Sequence, residues 1–271
     1  MASSSTGTLS PWERLPDELL LRVLEHVMMD PEDGELEWCG PVRGVSPRWR
    51  AIHDATCTWL RVRNGVTDEG MHAMCGRLPA LTWLKLAGVR SLSVDELGAV
   101  GGLTALTHLH LSSCSNVTDT VLRELRGLTK LTKLRLYNCS HVTDVGLRAL
   151  RGLPALTDLE LSYFPNVTNV GLQELRGLTE LTRLSLLRSC IQVTDAGLRA
   201  LRGPTKLTAL SLYGFSKVTL SLTALTELNV YDCSTTRRGG TRSGLPCPPS
   251  PSVYSRAAPR HRLHFRCECH S

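Results

Sequence analysis

The sequence predicts an α/β solenoid: stacked copies of one strand–turn–helix unit. Three observations predict it. Equivalent leucines at Leu78, Leu103, Leu128, Leu153 and Leu178 stand 25 residues apart, so that "LTALTHLHLSSCSNVTDTVLRELRG" from Leu103 is followed at once by the near-copy "LTKLTKLRLYNCSHVTDVGLRALRG" from Leu128. Within each unit an L-x-L alternation of period two gives way to helical spacing in segments such as "GLRAL". One strand and one short helix cannot bury their leucines alone, so the copies must stack, each fully buried Leu contributing roughly 1.5–3 kcal/mol.

The units can be justified in order. An incomplete first unit, "LRVRNGVTDEGMHAMCG" from Leu60, carries the "VTDxG" signature, and further starts follow at Pro204 and Leu222 after the five leucines. The array is expected to occupy residues 56–234. Between strand and helix, Thr118-Asp119, Thr143-Asp144 and Thr194-Asp195 suit a helix start, because short oxygen-bearing side chains accept the unpaired N–H groups of the first turn. Gly127, Gly152, Gly177 and Gly203 are expected to end the helices in a left-handed conformation. Arg126, Arg151, Arg176 and Arg202, late in those helices, complement the exposed carbonyls.

This pattern resembles the leucine-rich-repeat family, specifically its cysteine-containing subfamily. The resemblance implies a curved solenoid with a parallel sheet on the concave face and short helices on the convex face, the strands about 4.8 Å apart.

Ahead of the array, "WERLPDELLLRVLEHV" has apolar residues at Leu15, Leu19, Leu20, Val23, Leu24 and Val27, the stripe of an amphipathic helix, with Pro16 suited to its first turn. The pair "LPDELLLRVL" and "VSPRWR" resembles the F-box, the small all-α motif that docks on the Skp-family adaptor of cullin–RING ubiquitin ligases. Residues 12–55 would form this segment, behind a disordered 1–11. The resemblance implies that Leu15, Pro16, Leu19, Leu20, Val23 and Leu24, completed by Val45 and Trp49, present the adaptor-facing surface, a helix face laid into a hydrophobic groove. The chain departs from the family pattern between Val27 and Val45, where Gly34, Gly40, Pro41 and Gly44 are poor helix formers. The competing reading is a plain N-terminal cap over the first repeat.

Composition bounds the function further. The formal charge of +6 is concentrated at one end: residues 234–271 carry seven arginines and one acidic residue, and the rest of the chain has 24 of each sign. A basic tail alone supplies only salt-sensitive attraction to polyanions, which argues against specific nucleic-acid binding. No run of about 18 apolar residues is present, so no membrane span is expected. The start "MASSSTGTLSPWERLPDELL" lacks a signal-peptide pattern, so the ten cysteines read as reduced thiols and the chain as cytoplasmic or nuclear. The repeat column Cys114, Cys139, Cys190 and Cys233 exchanges with Val89, Phe164 and Phe215, which suits packing and not ligation or nucleophilic attack.

Binding residues are expected between the sheet leucines, on the hollow of the curve. One row reads Trp83, His108, Lys133, Asp158 and Arg183; the next reads Lys85, His110, Arg135 and Glu160; a third offers Tyr137, Tyr213 and Tyr231. The charges could simply pair across strands; exposed aromatics on a rigid face are the stronger anchors. His108 and His110 have a spacing that can hold a metal, but the flanking cations Lys85, Lys133 and Arg135 argue against it. No catalytic motif, metal site or cofactor site is expected.

After Thr219 the helix half of a unit is missing, and residues 235–271, rich in Pro and Arg, read as a disordered basic tail without a terminal cap. A truncated or mis-spliced product is expected on that ground. The functional expectation is a non-catalytic substrate-recognition subunit of an SCF-type cullin–RING E3 ligase, for ubiquitin-dependent degradation of a target protein held on the concave face. The alternative is a non-ligase leucine-rich-repeat scaffold or cytoskeletal interaction module.

Overall fold

The computed structural model describes residues 16, 18, 19, 46–62, 66–187, 193–201, 206–213 and 227–231. Eight strands form one sheet in chain order, every neighbouring pair parallel. They are β1 (Trp59–Val62), β2 (Trp83–Ala87), β3 (His108–Ser112), β4 (Lys133–Tyr137), β5 (Asp158–Ser162), β6 (Arg183–Leu187), β7 (Ala209–Tyr213) and β8 (Glu227–Tyr231). A helix α1 (Pro47–Thr56) precedes β1. The convex elements are α2 (Asp68–Arg77), α3 (Val94–Ala99), α4 (Asp119–Glu124), α5 (Asp144–Ala149), α6 (Asn169–Glu174) and α7 (Asp195–Ala200). The leucine-rich-repeat solenoid expected from the period is the observed fold.

Register follows the repeat: Trp83, His108, Lys133, Asp158 and Arg183 are Cα partners from strand to strand. The alternation then sorts the two faces. Leu84, Leu109, Leu134, Leu159, Leu184 and Leu210 form one inward column and Leu86, Leu111, Leu136, Leu161, Leu186 and Leu212 another, none more than 2% exposed. Val89, Cys114, Cys139 and Phe164 lie buried in one further column, which accounts for their interchange. Burial pushes the Cys139 thiol up to about 12, with Cys114 adding to the rise and a hydrogen bond to the Tyr137 carbonyl opposing it. Burial likewise raises Cys114.

A threonine column, not singled out from the sequence, stitches the units just ahead of the strands. The hydroxyls of Thr107, Thr132, Thr157 and Thr182 each donate to the carbonyl of the threonine one repeat earlier, at 3.0–3.1 Å. The same carbonyls take the sheet's first two amide bonds: Thr107 O accepts Thr132 N at 2.8 Å and Lys133 N at 3.0 Å.

The helix starts differ from expectation in who bonds whom. Thr143, Thr168 and Thr194 cap their own helices, accepting from Val145, Val170 and Ala196 N–H at 3.1–3.3 Å. The acid beside each threonine reaches forward instead. Asp119 accepts Thr143 N at 2.8 Å and Thr143 Oγ1 at 2.7 Å, and Asp144 accepts Thr168 N at 2.8 Å and Thr168 Oγ1 at 2.6 Å. Asn169 continues the chain of bonds, accepting Thr194 N at 2.9 Å and donating to Thr194 Oγ1 at 3.0 Å. In these three steps each repeat therefore organises the helix cap of the next.

The expected left-handed helix ends do not occur at Gly127, Gly152 or Gly177, since among described glycines only Gly88 has positive φ. These glycines close 3-10 turns, and close packing between repeats excludes a side chain: a Cβ at Gly127 would stand 2.7 Å from Gly101 O, and one at Gly152 or Gly177 2.7 Å from Cγ of Arg126 or Arg151. The left-handed position lies instead just after the strands, at Gly88, Ser113, Asn138 and Tyr163. There each N–H donates to the last carbonyl of the following strand, at 2.8–3.1 Å.

Leu15, Leu20, Val23, Leu24 and Val45 lie outside the described residues, as do Gly203, Arg202, Cys190, Phe215, Cys233, the junction after Thr219 and the 235–271 tail. Pro16 and Leu19 are exposed, Leu19 by 45%. In place of the surface position implied by the F-box resemblance, Trp49 is only 5% exposed. It lies one turn from buried His53 on α1, so that face of the helix is already covered.

Candidate functional site

The parallel register converts strand sequences into surface rows. Residues at the first and third positions of β2 to β5 turn away from the leucine core, and most are half-buried, as suits a concave surface. Trp83, His108, Lys133, Asp158 and Arg183 do form one row, extended by Trp59 and Ala209. Lys85, His110, Arg135 and Glu160 form the next, extended by Arg61, Ser185 and Ser211. Tyr137 holds the third row, and Tyr213 and Tyr231 are Cα partners in the register of β7 and β8.

The charges are unevenly distributed. Strands β1 to β4 contain Arg61, Lys85, Lys133 and Arg135 and no acidic residue. β5 then supplies two acids, Asp158 and Glu160. Arg135 Nε lies 3.5 Å from Glu160 Oε2, so one of the expected cross-strand pairs is formed. Being part-exposed on both sides, such a pair contributes about 1 kcal/mol at most after solvent screening. Burial raises the Glu160 carboxyl above its ordinary value, with Arg135 lowering and Asp158 raising it. Asp158 and Arg183 line a shallow depression with Ser185, Ala209 and Ser211.

His110 reports the field of the basic half. Burial, then Lys85, Arg135 and Arg61 in that order, lower its pKa to about 4, so it is neutral at physiological pH. His108 has a defined tautomer. Thr107 spends its one hydroxyl proton on Thr82 O, so the 2.8 Å contact between Thr107 Oγ1 and His108 Nδ1 requires the proton on Nδ1. Among the described residues no cluster of three or more His, Cys, Asp or Glu could hold a metal.

Two aromatic pairs frame the basic half. Trp83 packs edge-on to Trp59 with centroids 6.4 Å apart. Tyr137, 41% exposed, packs edge-on to Tyr163 at 5.3 Å. Tyr163 was not among the expected site residues. Its signal was its repeat position: it stands where Gly88, Ser113 and Asn138 stand, with φ of 61°, and a bulky ring in the left-handed region costs roughly 1–2 kcal/mol. Arg61 and Trp59 were missed for a different reason, since the first unit is incomplete and its strand lacks the L-x-L spelling.

On the convex side, Arg151 reaches into the next repeat, donating from Nε to Glu174 O at 3.1 Å and placing its guanidinium 2.7 Å from Glu174 Oε2. Val145 and Val170 are exposed there by 58% and 55%. No described helix is long and apolar enough to cross a membrane.

No protein-family model matches the chain, and no curated protein is similar enough to count as a match. Solved structures are similar in fold. Internalin C2 from Listeria monocytogenes strain 4b F2365 is 26% identical over 77% of this chain and 80% of its own, with a TM-score of 0.52. A second internalin of that strain, InlF, is 24% identical over 64% of this chain and 47% of its own, with a TM-score of 0.48. TLR13 in its complex with ssRNA13 is 21% identical over 65% of this chain and 26% of its own, with a TM-score of 0.50. The all-parallel sheet, the 25-residue register and the likeness to internalin C2 together define a leucine-rich-repeat solenoid fold.

Proposed function

We propose that this chain is the substrate-recognition subunit of an SCF-type cullin–RING ubiquitin ligase in the cytoplasm or nucleus. It holds a Skp-family adaptor through residues 12–55 and a target protein on the concave sheet. The observation that carries the reading is the order of two parts: an F-box-like pattern from Leu15 to Trp49 immediately ahead of a sheet face bearing Trp83, Tyr137 and alternating blocks of charge. The chain positions its target and does not catalyse; ubiquitin transfer belongs to its partners.

Because Trp49 is buried, its replacement would test folding more than docking. Exposed Leu19 is the better probe. The chain is expected to co-purify with a Skp-family adaptor, and Leu19→Asp is expected to abolish this with the circular dichroism spectrum unchanged. Failure of the wild-type chain to hold the adaptor refutes the ligase role. The burial of Trp49 and His53 on one face of α1 favours a second reading, a non-ligase scaffold in which this segment is a cap. In that case deleting residues 12–45 leaves the partner set and target turnover unchanged.

A further inference from the structure

We propose that the β1–β4 half of the concave face binds an extended acidic segment of a partner protein, about five residues long, followed by a basic residue that lies over β5. This rests on the reading of the concave sheet as the target-binding face, and adds which part of it binds and what chemistry it selects.

The geometry supports a short peptide laid across the strands. Arg61 and Lys85 are Cα partners, and the same row continues through His110 to Arg135. Three strand spacings of about 4.8 Å give a cationic strip about 14 Å long, the reach of four to five extended residues at about 3.3 Å each. Lys133 adds a fourth cation beside Arg135. The strands β1 to β4 themselves contain no acidic residue. Among the described residues Arg61 Nε is buried without a hydrogen-bond acceptor, so any carboxylate over β1 meets the exposed remainder of the Arg61 side chain. Burial first, then Lys85, Arg135 and Arg61, lower His110 to a pKa of about 4, so it stands neutral within the strip and adds no charge of its own.

Where the strip stops identifies the occupant. Asp158 and Glu160 continue both rows directly onto β5, and Glu160 already draws Arg135. A nucleic-acid backbone following the curve would meet this acidic pair with its own charge. A peptide of limited length ends its acidic run there, and a Lys or Arg following it completes the charge match. Trp83 and Tyr137 stand on either side of the middle row, where apolar side chains interspersed in such a segment would find flat surfaces.

The test uses the full chain, immobilised and exposed to a degenerate pool of 12-residue peptides and, in a parallel arm, to a degenerate pool of 12-nucleotide single-stranded RNA. The retained peptides are expected to be enriched in Asp and Glu over the input, with Lys or Arg following the acidic run. Binding of an individual retained peptide should fall about tenfold for Lys85→Glu and by a similar factor for Arg61→Gln. Glu160→Lys should erase the preference for the trailing basic residue while leaving the acidic one. The inference is overturned if the retained pool shows no acidic enrichment, if enrichment survives Lys85→Glu and Arg61→Gln in chains with unchanged circular dichroism, or if RNA is retained in preference to peptide. Retained peptides that are not acidic but are displaced by Trp83→Ala would sink this inference and leave the concave-face reading standing.

Discussion

Gly146→Ala separates two explanations of the "VTDxG" glycine with opposite signs. Gly146 sits in the first turn of α5, and by helix propensity alone alanine there should stabilise by up to about 1 kcal/mol. The structure reverses the expectation, because a Cβ at Gly146 falls onto Asp119 Oδ1 and also comes to 3.0 Å from Val142 Cγ1 and 3.1 Å from Leu122 Cδ1. Displacing the Asp119 carboxylate breaks its bonds to Thr143 N and Thr143 Oγ1. Two hydrogen bonds to an ionised acceptor are worth roughly 2–4 kcal/mol together in this setting, so the net loss should be about 1–3 kcal/mol. In an Asp119→Ala background the carboxylate is gone, and the same glycine replacement should come within about 1 kcal/mol of neutral. Equilibrium urea unfolding of the four chains, followed by circular dichroism, measures the cycle, and the coupling should be about 2 kcal/mol. Equal effects of Gly146→Ala in both backgrounds, or stabilisation in the wild type, would refute the forward-reaching acid.

Thr132→Val removes one of three donors to Thr107 O while leaving that carbonyl satisfied by two amides, so the loss should be no more than about 1 kcal/mol in the same unfolding assay. Cys139, raised from 9.0 to about 12, should resist a thiol-specific reagent at pH 8 until the chain unfolds; because its folded pKa is the higher one, its contribution to stability is complete below pH 9 and is lost as pH rises toward 12. His110, lowered from 6.5 to about 4, contributes stability above pH 6.5 that is lost as pH falls toward 4. An NMR titration should find its midpoint near 4, and Lys85→Met should move that midpoint upward.

What was legible in the sequence is whatever depends on one position at a time. A leucine that points inward is apolar whichever repeat it belongs to, so the 25-residue period, the two leucine columns and the cysteine column could all be read before any coordinates, and the site rows with them. The rows were legible because parallel pairing in step with the repeat leaves Trp83, His108 and Lys133 no other neighbours. What resisted reading are relations between positions in different repeats. The glycines at 127, 152 and 177 look like helix-ending residues if each unit is considered alone, yet they are required by Gly101 O, Arg126 and Arg151 of the unit before. The cations around His108 and His110 could be read once the rows were aligned, whereas the overall charge conceals them, because the 24 positive and 24 negative residues outside the tail balance.

The relation between Asp119 and Gly146 shows that such couplings do leave a trace, one that becomes readable only once the register is known. Asp119 is followed by Gly146, Asp144 by Gly171 and Asn169 by Gly197, and in each case a Cβ on the glycine falls onto the earlier side-chain oxygen. Two repeats depart from the rule: Asp68 accepts Ser93 N at 2.9 Å although Glu96 stands at the glycine position, and the next repeat breaks it on both sides at once. Val94 stands where the acid should be, and Val121 stands where the glycine should be. With no carboxylate arriving from Val94, Thr118 makes no side-chain cap bond, and Val121 is free to fill the space, where it is buried to 1% exposure. Installing the acid alone, Val94→Asp, should therefore destabilise the chain, because Val121 occupies the volume the carboxylate needs. Val94→Asp with Val121→Gly should recover most of that loss, and a double variant no more stable than Val94→Asp in urea would mean that the glycine is kept for some reason other than the acid before it.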